Sequence, residues 1–392
     1  MLRRMKCVKL LQSSFSPACG RRQVHTKLDE NAIITGATAF MAKGDIRTES
    51  VNVLPQTKYG GITHVTLLCG ETIIGKQGAK YVKSLLSSAR VPVDVQRIFV
   101  DQELEYYNSV LRNRAAIHVD IVHDAISKKN SLKVCNDLDL HVFMTNLRSF
   151  PGFNCRFPNV NIQLIAQNNM GNYAELEYSP VKGVVEGLRV VTSRDIKRFL
   201  RYAFKVVMDK KRQKVNLVHK SSEWPKTEGI LLDIAHNLQK NEFPDIQLEP
   251  MELDKCVARL ILDPEYFDVL VTSDLYGTFM ATICSAICGG ANLFSSIEIG
   301  EHHAVFKPLQ TKLSLTNYKV LSPYGIVSTC VDLMHHLGHS DCANALWAEM
   351  IRTMEEGIKT SDFKGTDRGE YVICNIMNRL RCNMFTDIHK KN

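Results

Sequence analysis

Apolar and polar positions along the chain alternate between two periods. The run HVTLLCG, from His64 to Gly70, predicts a buried strand, and GKQGAKYVKSLLSSAR after it carries apolar residues at helical spacing. VPVDVQRIFV predicts a second strand and YYNSVLRNRAA a second helix. Further on, NIQLIAQNNM is a strand entering a polar loop, KVNLVHK a strand, TEGILLDIAHNLQKNEF a helix, IQLEPMELD an extended piece and FDVLVTSDLYG a strand. Between them, DIKRFLRYAFKVVMDKKRQ predicts an amphipathic helix with Phe199, Tyr202, Ala203 and Val206 inward and a basic face in solvent. DLYGTFMATICSAICGG, residues 274–290, predicts a buried helix entered through a tight Tyr-Gly turn and closed by two glycines. YGIVSTCVDLMHHLG and DCANALWAEMIRTMEEGI predict two more helices. Strands alternating with helices imply an α/β architecture with a largely parallel sheet.

A chain of 392 residues can bury a large core in two or three structural units. No apolar run approaches the ~20 residues of a spanning helix, so no membrane domain is expected. The net charge of +8 is confined to one end. Residues 1–28 carry seven Lys and Arg and no acid, are rich in Arg and Ser, and begin with a stretch able to form a basic amphipathic helix. That is the composition of a mitochondrial transit peptide, and it predicts the mitochondrial matrix. Without it, 42 Lys and Arg stand against 41 Asp and Glu, which removes the case for a nucleic-acid partner. Residues 29–60 are polar and predict an extended arm.

The twelve cysteines show no C-x-x-C pair or zinc spacing, and Cys284 and Cys288 lie one helical turn apart in an apolar segment, where cysteine acts as a small hydrophobe. HHLGHSDC, from His335 to Cys342, is expected to be a helix end at Gly338 and a polar turn, not a metal site. No G-x-G-x-x-G, phosphate-binding loop, nucleophile elbow or H-E-x-x-H is present.

Several ordered stretches carry a resemblance: NNMGNYAELEYSPVKGVVEGLRVVTS, KVNLVHK, MELDKC, FDVLVTSDLYG and CGGANL, with weaker agreement from Val65 to about residue 385. They resemble the isocitrate/isopropylmalate dehydrogenase family, and within it the mitochondrial NAD-dependent isocitrate dehydrogenase subunits. VPVDV and SPVKGVVEGL are most similar to regulatory subunits of the gamma type. The resemblance implies a two-domain α/β fold with a sheet of non-Rossmann type and a discontinuous large domain. Residues 61–149 and 271–392 would form the large domain, and 150–270 a small domain through which subunits pair. The family oxidises a 2-hydroxy acid with NAD and decarboxylates it with a divalent metal, in clefts completed by the neighbouring subunit.

Set against that pattern, the chain departs at the positions that would run its own site. Cys135, Thr145 and Ala166 stand where the family has three substrate-binding arginines, and none can replace a guanidinium. Loss of one buried charge-assisted contact of that kind costs about 2–5 kcal/mol. Arg148 and Lys133 lie nearby and are expected to be solvated surface charges. Thr278 and Thr282 stand where the family has two metal-binding aspartates, Ser222 replaces an Asn, and KPLQTKLSLTNYKVLSP replaces the adenine-binding loop. Hard divalent cations want anionic oxygens, so this chain alone is expected to hold neither Mg²⁺ or Mn²⁺ nor NAD.

Three site residues match: Tyr173 the catalytic tyrosine, Lys220 its proton-transfer partner, and Asp254 a metal-ligating carboxylate. In the family this lysine and aspartate reach into the neighbouring subunit's cleft, whereas Tyr173 serves its own. The implied role is a non-catalytic, regulatory-type subunit that completes a catalytic partner's site, where Mg²⁺ or Mn²⁺ and NAD bind. Family regulatory subunits bind citrate and adenine nucleotide, and the lost arginines weigh against citrate here. Two alternatives are an NAD-dependent dehydrogenase of altered hydroxy-acid substrate and a purely structural paralogue.

Overall fold

The computed structural model describes residues 58–70, 73–99, 103–119, 135–153, 155–310 and 322–390. The expected transit peptide, nearly all of the arm, Lys133 and most of the altered adenine-loop segment lie outside them. The strands are β1 (Lys58–Tyr59), β2 (Ile62–Cys69), β3 (Val93–Phe99), β4 (Ala115–His118), β5 (Val142–Arg148), β6 (Asn161–Gln167), β7 (Gly171–Val181), β8 (Val184–Val190), β9 (Lys214–His219), β10 (Gln247–Glu252), β11 (Val269–Thr272), β12 (Ser295–Ile299) and β13 (Ala304–Pro308). The helices are α1 (Ile73–Ser88), α2 (Glu103–Asn113), α3 (Ser193–Asp209), α4 (Thr227–Glu242), α5 (Leu253–Leu262), α6 (Asp274–Ile287), α7 (Pro323–His336), α8 (Ser340–Glu355) and α9 (Gly369–Lys390). No helix among the described residues is long and apolar enough to cross a membrane.

Eleven strands form one sheet in the order β1-β2-β4-β13-β12-β5-β6-β11-β9-β10, with β3 also paired to β2. The sheet is largely parallel, as the alternation suggested, with antiparallel pairings at β1–β2 and around β5 and β12. β2, β3, β4, β13 and β5 run one way, and β12, β6, β11, β9 and β10 the other, so two parallel halves meet through antiparallel pairings of β5 and β12. The reversal gathers the carboxyl ends of β6, β9, β10, β11 and β12 at the edge where β5 begins. In open α/β sheets, that edge is where ligands bind.

The central strands are predominantly apolar and buried. Leu217 and Val218 of β9 and Val269, Leu270 and Val271 of β11 are buried with Phe199, Leu200, Ala203 and Phe204 of α3. Tyr202 is only half-buried, at the margin of that face. The Thr192 hydroxyl caps α3 by accepting the Asp195 amide at 3.2 Å. Two sequence-based expectations shift: Ala115 and Ala116 belong to β4, not the preceding helix, and Tyr276-Gly277 lies in the first turn of α6 rather than forming a turn before it. Periodicity also left the β7–β8 hairpin unassigned. It stands as its own antiparallel two-stranded sheet, turning at Lys182-Gly183, with Leu176, Tyr178, Val181, Val184, Val185, Leu188 and Val190 exposed.

Candidate functional site

At this carboxyl-end edge, the parallel register of β9 and β10 sets His219 opposite Glu252, so the next residues of each strand emerge side by side. Lys220 follows β9, and Asp254 sits in the first turn of α5 directly after β10. The Lys220 ammonium donates to the Asp254 carboxylate and lies 3.2 Å from Glu223 Oε1. The bond to Asp254, then that to Glu223, pushes the lysine's pKa above its ordinary value. Asp254 stays open to solvent, its side chain 78% exposed against 13% for Lys220. Ser222 Oγ donates to Glu252 at 3.3 Å beside them.

Tyr173 is held on another element, the start of β7. Its amide donates to the Met170 carbonyl at 3.1 Å, and its carbonyl accepts from Asn136 Nδ2 at 3.5 Å. Of the three matching residues, the fold therefore joins Lys220 with Asp254 and sets Tyr173 apart.

The residues expected to stand at altered site positions take part in local hydrogen bonds and packing. Thr278 Oγ1 donates to the Leu275 carbonyl at 3.0 Å, and Thr282 Oγ1 to the Thr278 carbonyl at 2.8 Å. Both hydroxyl protons are used by the threonines' own helix, and neither group carries the anionic oxygen a hard cation requires. No group of three or more His, Cys, Asp or Glu with metal-holding geometry occurs among the described residues. Cys135 is buried, its thiol donating to Glu298 Oε2 at 3.1 Å, and Glu298 forms a buried ion pair with Lys307 at 2.6 Å. Thr145 is buried and donates to the Ser295 carbonyl at 2.7 Å. Ala166, at the end of β6, is pressed against α6: a Cβ on Gly277 would meet the Ala166 Cβ at 2.3 Å. An arginine at 166 has no room in this packing. Arg148 corrects an expectation: it is half-buried, not solvated, with its guanidinium 4.3 Å from the Trp347 ring centroid, and burial pushes its pKa down to about 10.

The sequence reading missed one charged cluster beside these residues. Arg189, ending β8, donates to Asp274 Oδ1 and to Glu228 Oε1, each at 2.7 Å. Asp274 is 2% exposed and Glu228 1%. The other Asp274 oxygen accepts from the Asn172 amide and Nδ2 at 2.7 and 2.8 Å. Gly171, at φ +64°, makes this possible, because a Cβ there would lie 2.3 Å from Asp274 Oδ2. Burial opposes the charge on Arg189, but the Asp274 and Glu228 carboxylates outweigh it and hold the guanidinium above its usual range. The cluster ties the hairpin's root to α4 and α6. A charged residue opening an apolar helix, in SDLYG, was its one visible signal.

Residues 115–382 match the isocitrate/isopropylmalate dehydrogenase family model. The chain belongs to this family. It is 30% identical over 342 residues to isocitrate dehydrogenase [NAD] subunit gamma 1, mitochondrial, of Rattus norvegicus, covering 83% of this chain and 86% of that one. It is 28% identical over 349 residues to isocitrate dehydrogenase [NAD] regulatory subunit 1, mitochondrial, of Arabidopsis thaliana, covering 86% and 94%. The crystal structure of isocitrate dehydrogenase from Methylococcus capsulatus has the same fold, with a TM-score of 0.74 and 24% identity over 82% of this chain and 100% of that one. The family fold expected from the motifs is thus the observed one, and the mitochondrial location predicted from the N-terminal composition is that named for the relatives.

Proposed function

We propose that this chain is a non-catalytic, regulatory-type subunit of a mitochondrial NAD-dependent isocitrate dehydrogenase, and that it lends Lys220 and Asp254 to a catalytic partner's site. One contrast carries the reading. Thr278 and Thr282 give their hydroxyl protons to their own helix, while Lys220 and Asp254 stand paired at the edge of the sheet with the Asp254 carboxylate in solvent. A carboxylate in that position suits a hard divalent cation shared with a neighbour. The metal would supply Lewis acidity to the substrate's hydroxyl and carboxylate oxygens. Lys220, held as an ammonium by Asp254 and Glu223, would keep a proton at Nζ for transfer. Tyr173 would belong to this chain's own degenerate cleft, where NAD and metal are not expected to bind.

The need for a partner is supported by the β7–β8 hairpin. A lone two-stranded ribbon is marginal in water, and this one turns seven large apolar side chains outward. Covering it against a second subunit accords with a division into a large domain of residues 61–149 and 271–392 and a pairing domain of 150–270.

The test is co-expression with a catalytic subunit, with isocitrate oxidation assayed on the chain alone and on the complex. Activity only in the complex is expected. Turnover by the isolated chain overturns the proposal and favours a dehydrogenase of altered substrate, and a complex no more active than the catalytic subunit alone leaves a structural paralogue.

A further inference from the structure

A second concave site opens at the same edge of the sheet, over β5 and β12. Its volume is about 570 Å³, and its walls include Arg194, Lys197, Arg198, Arg201 and Lys205 of α3 together with His141 and Glu301. That size suits a small organic or phosphorylated molecule. β5 lies three strand spacings from β9, so roughly 14 Å of sheet separates this site from Lys220.

The charge in this cavity is one-sided. Arg198 is paired with Asp139 and Arg201 with Glu242. Among the described residues, Arg194, Lys197 and Lys205 form no ion pair. Glu301 is the one acidic side chain in the lining. Positions 194, 198, 201 and 205 recur every three or four residues, so they lie along one face of α3 over about 16 Å. His141 is 4% exposed and has its ring edge-on to Tyr202 at 6.0 Å. Its Nδ1 is 3.4 Å from the Asp139 carbonyl, and its Nε2 has no hydrogen-bond partner among the described residues. A ring nitrogen facing an open cavity, with no hydrogen-bond partner among the described residues, is available to a ligand.

The geometry points to a binding site for a linear polyphosphate group, with the phosphoryl oxygens along α3 and the His141 ring, on taking up a proton at Nε2, as a further donor. A row of guanidinium and ammonium groups matches charge distributed along a phosphoanhydride chain, whereas a compact tricarboxylate concentrates its charge at one point. The aromatic edges of His141 and Tyr202 and the lysine and arginine stems form the remainder of the wall. This site does not depend on the role given to Lys220 and Asp254.

Titration calorimetry of the full chain with inorganic tripolyphosphate at low ionic strength tests the assignment. One saturable site is expected, with orthophosphate and citrate at least tenfold weaker. Lys197→Gln/Lys205→Gln, with both side chains in solvent or at its margin, should weaken tripolyphosphate at least tenfold without moving the unfolding midpoint, and His141→Gln should weaken it several-fold. Lys76→Gln/Lys80→Gln, a double charge loss on α1, should leave binding unchanged. No saturable binding, equal affinity for citrate, or equal weakening by the α1 pair would each overturn the proposal, the last by reducing it to unspecific surface charge.

Discussion

Lys220 and Asp254 are 34 residues apart in sequence and joined by a direct hydrogen bond, because parallel pairing of β9 with β10 brings the two strand ends level. The bond couples the lysine's proton to the charge state of an exposed carboxylate. Asp254→Asn should therefore lower the Lys220 pKa, which NMR titration of the lysine side chain would detect. A pKa that does not fall would show that Asp254 is not the group holding the proton.

In the complex with a catalytic subunit, Lys220→Ala and Asp254→Ala should each lower turnover by about 10²-fold or more, as loss of a proton-transfer group or metal ligand does. The unfolding midpoint of the isolated chain should stay where it was, since exposed ion pairs contribute little to stability. Unchanged turnover in both variants would leave the pair a surface contact.

The Arg189 cluster is a matter of stability, not of exchange with a partner. Arg189→Met leaves Asp274 and Glu228 as two buried carboxylates with their shared counter-charge gone. The expected loss is about 3–5 kcal/mol by urea denaturation at neutral pH. Asp274→Asn and Glu228→Gln introduced together with Arg189→Met should recover most of it. A loss below about 1 kcal/mol in the single variant would mean that water already screens the cluster.

Gly277→Ala provides a sharper test of packing between α6 and β6. In an open helix this change stabilises by about 1 kcal/mol. Here the new methyl group would meet Ala166 at 2.3 Å, and the expected sign reverses to a loss of about 1–3 kcal/mol. A Gly277→Ala protein more stable than the parent would show that α6 can lift off β6.

Two buried histidines, His118 and His335, and the half-buried His336 set an acid limit on stability. Burial first, and Lys307 second, lower His118 to about 3. Burial lowers His335 and His336 to about 4, with Lys210 and Arg148 adding to the effect at His335. Their ordinary value is 6.5, so between that pH and about 4 the unfolded chain takes up protons that the folded chain refuses. Stability should be flat above about pH 7 and fall below 6.5, by up to ~1.4 kcal/mol per pH unit for each histidine. Urea midpoints from pH 7.5 to 5 would follow this, and His336→Gln should reduce the slope. An unchanged slope would mean that His336 is protonated in the fold.

Much of the framework follows from the order of residues alone. The apolar runs of β2, β6, β9 and β11 and the amphipathic face of α3 report their elements, because burial on one or both faces leaves a period in the sequence. The neutral side chains of Thr278 and Thr282, and the charges of Lys220 and Asp254, are equally legible in the sequence. The acid-free first 28 residues announce their destination by composition.

Tertiary structure decided what depends on residues far apart in the chain. The reversal of direction at β5 and β12 is absent from any local pattern, since a buried strand looks the same whichever way its neighbours run. The β7–β8 hairpin carries apolar residues on an exposed ribbon, so its pattern reports no core. Thr278 and Thr282 could be seen to lack charge, but only helix geometry shows their hydroxyl protons spent on their own carbonyls. Arg148 resembled a solvated charge until Trp347, 199 residues away in the chain, was found beneath it. Asp254 is named by its motif. Its place beside Lys220, with one face open to solvent, comes from the pairing of two parallel strands.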